Sequence, residues 1–251
     1  MAGDDVLPSD LAPRPAAGRV FAGRSRPVRF ADVHPSGRLR LDGIARYLQD
    51  LSADDTVDAA LPEGGWWIVR RTVVEVSAFP RYLELLTTHT WCSGVGSHYA
   101  ERRASLLGER GGRIEAASLW VNVDKATGRP TRLPPGFLDL YEESTDGRRA
   151  NARLQHGDPP DDLELRPWAV RATDFDMWRH VNNSVYWAIV EEALAEGPPL
   201  VAPVRAEVEH RNAVDAGSAV TWGAARDGDD LAVWVLAEGR VATTAVVRPH
   251  R

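Results

Sequence analysis

One order of patterns runs through this chain twice, and few architectures accommodate it. Within "LDGIARYLQDLSADD" (41–55), Ile44, Tyr47, Leu48 and Leu51 fall at i, i+3, i+4 and i+7, so a helix there carries a single apolar stripe. Four strand-like runs follow at 64–76, 83–93, 97–110 and 113–124, rich in β-branched and aromatic residues and divided by short turns. The spacing predicts antiparallel neighbours in one sheet. Further on, residues 163–174 read as a strand and 182–197 as a second helix. Runs at 204–212, 218–227, 231–240 and 241–249 then read as strands, with "DAG" and "DGDD" as turn signals.

A shift of 142 positions superposes the two passages without gaps. Val28, Arg29 and Asp32 meet Val170, Arg171 and Asp174, and the stripe Ile44, Tyr47, Leu48, Leu51 lands on Tyr186, Ile189, Val190, Ala193. The identities alone would be chance; the common element order and helix phase point to duplication. A sheet with one helix has one apolar face to bury, and a long central helix can cover it. The predicted class is therefore α+β, a double hotdog: two tandem units, each an antiparallel sheet wrapped around a long helix. The expected division is a flexible tail over 1–24, an N-terminal unit over 25–140, a polar, turn-rich linker over 141–162 and a C-terminal unit over 163–251.

Composition removes several function classes. The net charge of −6 gives no global basic field to attract nucleic acid. No apolar run approaches the roughly 18 residues of a membrane span, and the acidic, proline-containing N-terminus does not read as a signal peptide. The single cysteine, Cys92, allows no intramolecular disulfide and suits a reducing compartment. It lies in a strand-like run, where a small buried side chain is the simplest role. A cytoplasmic location is the expectation. No dinucleotide fingerprint, G-x-S-x-G elbow or metal-ligand spacing occurs, so no cofactor and no metal are expected.

Chemistry-bearing residues concentrate in "DFDMWRHVNN" (174–183), at the entry to the second helix. Its shifted counterpart carries His34 in place of Asp176 and Arg38 in place of His180. Asn182 or Asn183 is placed to cap the helix. The first-turn N–H groups beyond such a cap can polarise a carbonyl and favour an ionised Asp176. The plainer alternative makes Asp174, Asp176 and the asparagines turn and capping residues, with His180 bonded to backbone.

Several segments carry a family resemblance. "RLRLDGIARYLQDLSADD", "GGWWIVRRTVVEVSAFPRYLE", "ASLWVNVDKATGRPTRLP" and "DFDMWRHVNNSVYWAIVEEAL" occur in the order seen in acyl-ACP thioesterases of the plant and bacterial type. The last of these resembles the family's D-x-D-x-N-x-H-V-N-N-x-x-Y signature. The resemblance spans roughly residues 25–250. It implies a double-hotdog hydrolase that releases fatty acid from acyl carrier protein, as a monomer or homodimer, with acyl-CoA hydrolysis or non-hydrolytic acyl binding as alternatives. It also implies that Asp176 is the carboxylate nucleophile or base and that His180 is the signature histidine. Asn182, Asn183 and Trp178 are the expected substrate-binding positions. Trp178 departs from the family's asparagine. Ala213 and Val214 fall where the family has a glutamate followed by a cysteine, and Glu209, four residues before Ala213, is a poor substitute. The arginine pairs Arg70/Arg71, Arg102/Arg103 and Arg148/Arg149 read as solvated faces or as contacts for an acidic carrier or a CoA phosphate.

Overall fold

A computed structural model describes residues 10–60 and 66–250. Eleven strands form one sheet: β1 (Val20–Ala22), β2 (Arg26–Pro27), β3 (Trp66–Ala78), β4 (Leu85–Val95), β5 (Tyr99–Gly108), β6 (Arg113–Val123), β7 (Arg166–Trp168), β8 (Val204–His210), β9 (Val220–Asp227), β10 (Asp230–Ala237) and β11 (Arg240–Pro249). Among the described residues three α-helices accompany them: α1 (Leu41–Ala59), α2 (Phe137–Thr145) and α3 (Asn183–Ala195). The path across the sheet is β1-β4-β5-β6-β3-β8-β11-β10-β9-β7, with β2 also on β4. Outward from the central β3–β8 pair, both directions meet equivalent strands in the same order. The fold is α+β and hotdog-like, and the seam between its halves is an ordinary antiparallel ladder from Arg71↔Glu209 to Val76↔Val204.

The predicted helix stripes are buried. Ile44, Tyr47, Leu48 and Leu51 of α1 face the core with Tyr186, Ile189, Val190 and Ala193 of α3. Burying each large apolar side chain stabilises the fold by about 1.5–3 kcal/mol. Val74, Val76, Ala206, Val208, Ala245 and Val247 supply the sheet side of the same core. The intervening residues of β3 and β8, such as Arg71, Glu75, Arg205 and Glu209, therefore point to the opposite face.

Four expectations need correction. Residues 163–174 form only the three-residue β7 and a 3₁₀ turn over 172–174, because Pro167 has no N–H to donate and is confined to an edge. Consecutive β3 and β4 do not pair; β3 lies against β6 and so turns its other edge to β8. The tail is ordered in its second part: Val20–Ala22 pairs with β4, and Arg19 is anchored on Asp55 and Asp58. Residues 1–9 lie outside the described part. The pairs Arg70/Arg71 and Arg102/Arg103 are not solvated faces, whereas Arg148 is half-buried and Arg149 exposed. Strand alternation buries Arg71 and Arg103, and Arg102 reaches the buried carboxylate of Asp55, which Arg19 and Tyr141 also contact. Buried charge persists where several donors satisfy it.

The stretch read as a linker begins inside α2, whose Phe137 and Tyr141 pack with Cys92 and Ala100. Cys92 is buried, and burial pushes its thiol up to about 11, so at neutral pH it stays protonated. Beyond α2 the chain crosses the outer face of the sheet as a strap. Arg71 donates to the carbonyls of Asn151 (2.9 Å) and Arg153 (3.0 Å). Gln155 and His156 donate their N–H groups to Glu209 at 2.6 and 3.0 Å. Trp234 Nε1 donates to the carbonyl of Gly157 at 3.1 Å.

Candidate active site

The two helix entries share one backbone. In the first, the 3₁₀ turn Phe30–Asp32 leads to a Val33↔Leu39 bridge; in the second, Ala172–Asp174 leads to Phe175↔Val181, 142 residues later. The N–H of Arg40 donates to the carbonyl of Asp32 at 2.9 Å, and that of Asn182 to Asp174 at 2.8 Å. The loops differ in side chains. Gly37, at φ +84°, is matched by Arg179 at φ +66°, a left-handed conformation in which a side chain costs energy.

In the second loop Asp176 Oδ1 accepts from the N–H of Trp178 (2.9 Å) and of His180 (3.2 Å). Its Oδ2 has no hydrogen bond to any described residue. Asp176 is half-buried and His180 exposed, and the imidazole is likewise without a hydrogen bond among the described residues. Asn182 is the N-cap of α3: its Oδ1 accepts from Ser184 N at 2.9 Å and from Ser184 Oγ at 2.8 Å. Asn183 opens the helix, half-buried. Trp178 is half exposed and lies on Trp66 of β3, ring centroids 5.6 Å apart. The first half thus contributes an aromatic wall to the second half's loop.

Three neighbours were not singled out from the sequence. His180 bridges to Asp215 through backbone, as Arg38 bridges to Arg81. Asp215 stands two residues beyond Ala213, the position at which the family has a glutamate. Beneath the loop, Tyr186 packs edge-on against His210, ring centroids 5.2 Å apart. His210 Nδ1 shares a hydrogen bond with Thr243 Oγ1 at 3.2 Å, and Thr243 also bonds Tyr186. Burial, then the nearby charges of Asp176 and Asp215, holds the Tyr186 phenol protonated far above its usual range. Burial, with the Arg70 charge nearby, drives His210 down to about 3, so it is neutral at physiological pH. Its Nε2 is buried without a partner. The alternation of apolar and polar residues along β8 is a signal that puts His210 on the helix side, but only the fold brings it under Tyr186.

Glu209 points away from this site, its carboxylate taken by the strap. His156, Glu207 and Glu209 bring donor atoms within 4.8 Å of one another. Arg71 and Arg205 lie 3.8 and 3.9 Å from Glu207 and already balance its charge. That group reads as part of the strap's fastening rather than a cation site.

The family model for the acyl-ACP thioesterase N-terminal domain matches residues 19–141, and that for the C-terminal domain matches 157–241. The chain belongs to the acyl-ACP thioesterase family. An uncharacterised protein of Mycobacterium tuberculosis, Rv2001, is 36% identical over 212 residues, 84% of each chain. Oleoyl-acyl carrier protein thioesterase 2 of Arabidopsis thaliana is 25% identical over 199 residues, which is 67% of this chain and 53% of the plant protein. In fold, this acyl-ACP thioesterase family member is similar to the 12:0-ACP thioesterase from Umbellularia californica. The TM-score is 0.74 at 20% identity, covering 91% of this chain and 96% of that one. Among the described residues, no helix is long and apolar enough to cross a membrane.

Proposed function

We propose that the protein hydrolyses fatty acyl thioesters presented on acyl carrier protein, releasing the fatty acid, with Asp176 as base or nucleophile and His180 assisting. One observation carries this reading: two loops of the same backbone stand at the two helix entries, and only the second has a carboxylate and an imidazole at the positions of Asp176 and His180, where the first has His34 and Arg38. In the proposed division of labour, residues 163–251 perform the chemistry. Residues 25–140 supply the wall at Trp66 and much of the acyl tunnel, and 141–162 join the two units.

Thioester hydrolysis needs an activated oxygen nucleophile and donors for the oxyanion that forms. Asp176 is held through Oδ1 by two N–H groups, which leaves Oδ2 to take a proton from water or to attack the carbonyl. The capped start of α3 offers its partial positive charge to the developing oxyanion. His180 then orients the water or protonates the departing thiolate, a step that typically contributes ~10²–10⁴-fold. Trp178 and Trp66 exclude solvent from one side.

The test is turnover of matched acyl-ACP and acyl-CoA panels by the purified protein and by Asp176→Asn. ACP esters are expected to be hydrolysed, with the variant at least about a hundredfold slower. Preference for CoA esters would move the assignment to an acyl-CoA thioesterase. Unchanged turnover in Asp176→Asn would remove Asp176 from the mechanism.

A further inference from the structure

The approximate symmetry that relates the halves gives the second half's loop a counterpart in the first, and that counterpart opens into a cavity of about 550 Å³. Ser36 and Arg38 line it, 142 positions before Trp178 and His180. So does Arg81, which bridges Arg38 as Asp215 bridges His180. Guanidinium groups thus take the places of His180 and Asp215, while His34 stands at the place of Asp176. Across the opening, Leu200 and Val201 of the second half form an apolar wall, with Phe79 on the near side. Val201 is 72% exposed, so its side chain is available to a ligand in the cavity.

The charges in this cavity are unevenly spent. Arg38 is paired in bidentate fashion with Glu191, at 2.9 and 2.7 Å. Glu84 is buried and accepts three backbone N–H groups, from Arg81, Arg110 and Gly112. Arg81 and Arg110 each donate to a carbonyl, of Ser36 at 2.8 Å and Tyr82 at 2.7 Å. Among the described residues neither guanidinium has a carboxylate within ion-pair distance. Two cations without an ion pair, one of them (Arg110) near enough to help lower the Glu84 carboxyl, therefore stand beside an apolar wall in a cavity within the size range of small-molecule sites.

We infer that this cavity is a second ligand site, which binds an aliphatic carboxylate through Arg81 and Arg110, with its hydrocarbon against Phe79, Leu200 and Val201. An amphiphilic anion is the class that satisfies both linings at once, because an inorganic anion leaves the apolar wall wet and a neutral lipid leaves the guanidinium groups unpaired. The fatty acid released by the hydrolysis proposed above has this chemistry. The site itself rests on the cavity and its charges, and binding is measurable whether or not the protein turns over thioesters.

Binding of laurate to the whole protein, followed by titration calorimetry and by native mass spectrometry, tests the inference, with lauryl alcohol and inorganic phosphate as comparison ligands. An acyl tunnel elsewhere can also take laurate, so variants separate the sites. Arg81→Glu and Val201→Glu place a negative charge at the head and on the wall; the second lies on an exposed loop and leaves every hydrogen bond described above intact. Each is expected to weaken one laurate binding event by roughly tenfold to a hundredfold. Trp178→Ala, at the other mouth, is expected to leave that event unchanged. Laurate binding unaffected by both glutamate variants would overturn the site. Lauryl alcohol binding there as tightly as laurate, or phosphate displacing laurate at equal concentration, would overturn the assigned ligand class. Loss of acyl-ACP turnover in Asp176→Asn bears only on the proposed function and leaves this measurement standing.

Discussion

At the scale of single residues, the loop 174–183 combines strain and unspent donors and acceptors. Arg179 holds the left-handed conformation that Gly37 adopts in the other loop. Arg179→Gly is expected to stabilise the protein by about 0.5–1 kcal/mol, the relief of a side chain at positive φ less the added freedom of the unfolded chain; urea unfolding measures it. His210 gives a pH signature. Its folded-state value, near 3, lies below that of a free imidazole, so the unfolded chain binds the proton first. The stability it contributes is therefore present above about pH 6.5 and drains away as pH falls towards 3. Unfolding free energies of His210→Gln and the parent are expected to converge by about 1.4 kcal/mol per pH unit between pH 6 and 4. A constant gap would contradict the buried, neutral assignment.

At the scale of elements, the strap over residues 151–158 is tied by side chains to a sheet face that the helices do not cover. Glu209 is its main fastening. In Glu209→Ala two backbone N–H groups lose their acceptor, at about 1–3 kcal/mol each if they stay buried. The expected result is a loss of about 2–4 kcal/mol in urea unfolding, with faster protease cleavage between residues 150 and 160. Little of this was visible in the sequence, because the strap's bonds run through its backbone, which carries no compositional mark. The helices, by contrast, could be read directly, since a stripe such as Ile44–Leu51 is a local, periodic property. Strand partners could not: β3 chooses β6 over β4 through a contact set by the whole sheet. The site shows the same split. Asp176, Trp178, His180 and the Asn182 cap follow one another in the chain and were found together. Asp215, His210 and Thr243 arrive from β8, β11 and the segment after β8, and no spacing rule ties them to Asp176.

At the scale of the whole molecule, the joints between the halves include the β3–β8 ladder, α1 against α3, and Glu191. That last carboxylate caps the first helix through Leu41 N at 2.7 Å while pairing with Arg38. Residues 163–251 produced alone would expose the edge of β8 and the apolar side of α3. They are expected to aggregate or to lack a cooperative unfolding transition, and co-expression with residues 1–162 is expected to restore solubility; light scattering and circular dichroism read both outcomes. A soluble, cooperatively folded fragment would show that the second unit is self-sufficient.

The seam at β3–β8 also bears on how the two loops came to differ. Two identical subunits meeting along such a seam must alter both of their mouths with every substitution, because one gene writes both. A single chain that spells the unit twice can change His34, Ser36 and Arg38 while leaving Asp176, Trp178 and His180 alone. Covalent linkage across that seam gives each mouth its own history, so one can be kept for chemistry while the other is free to become something else.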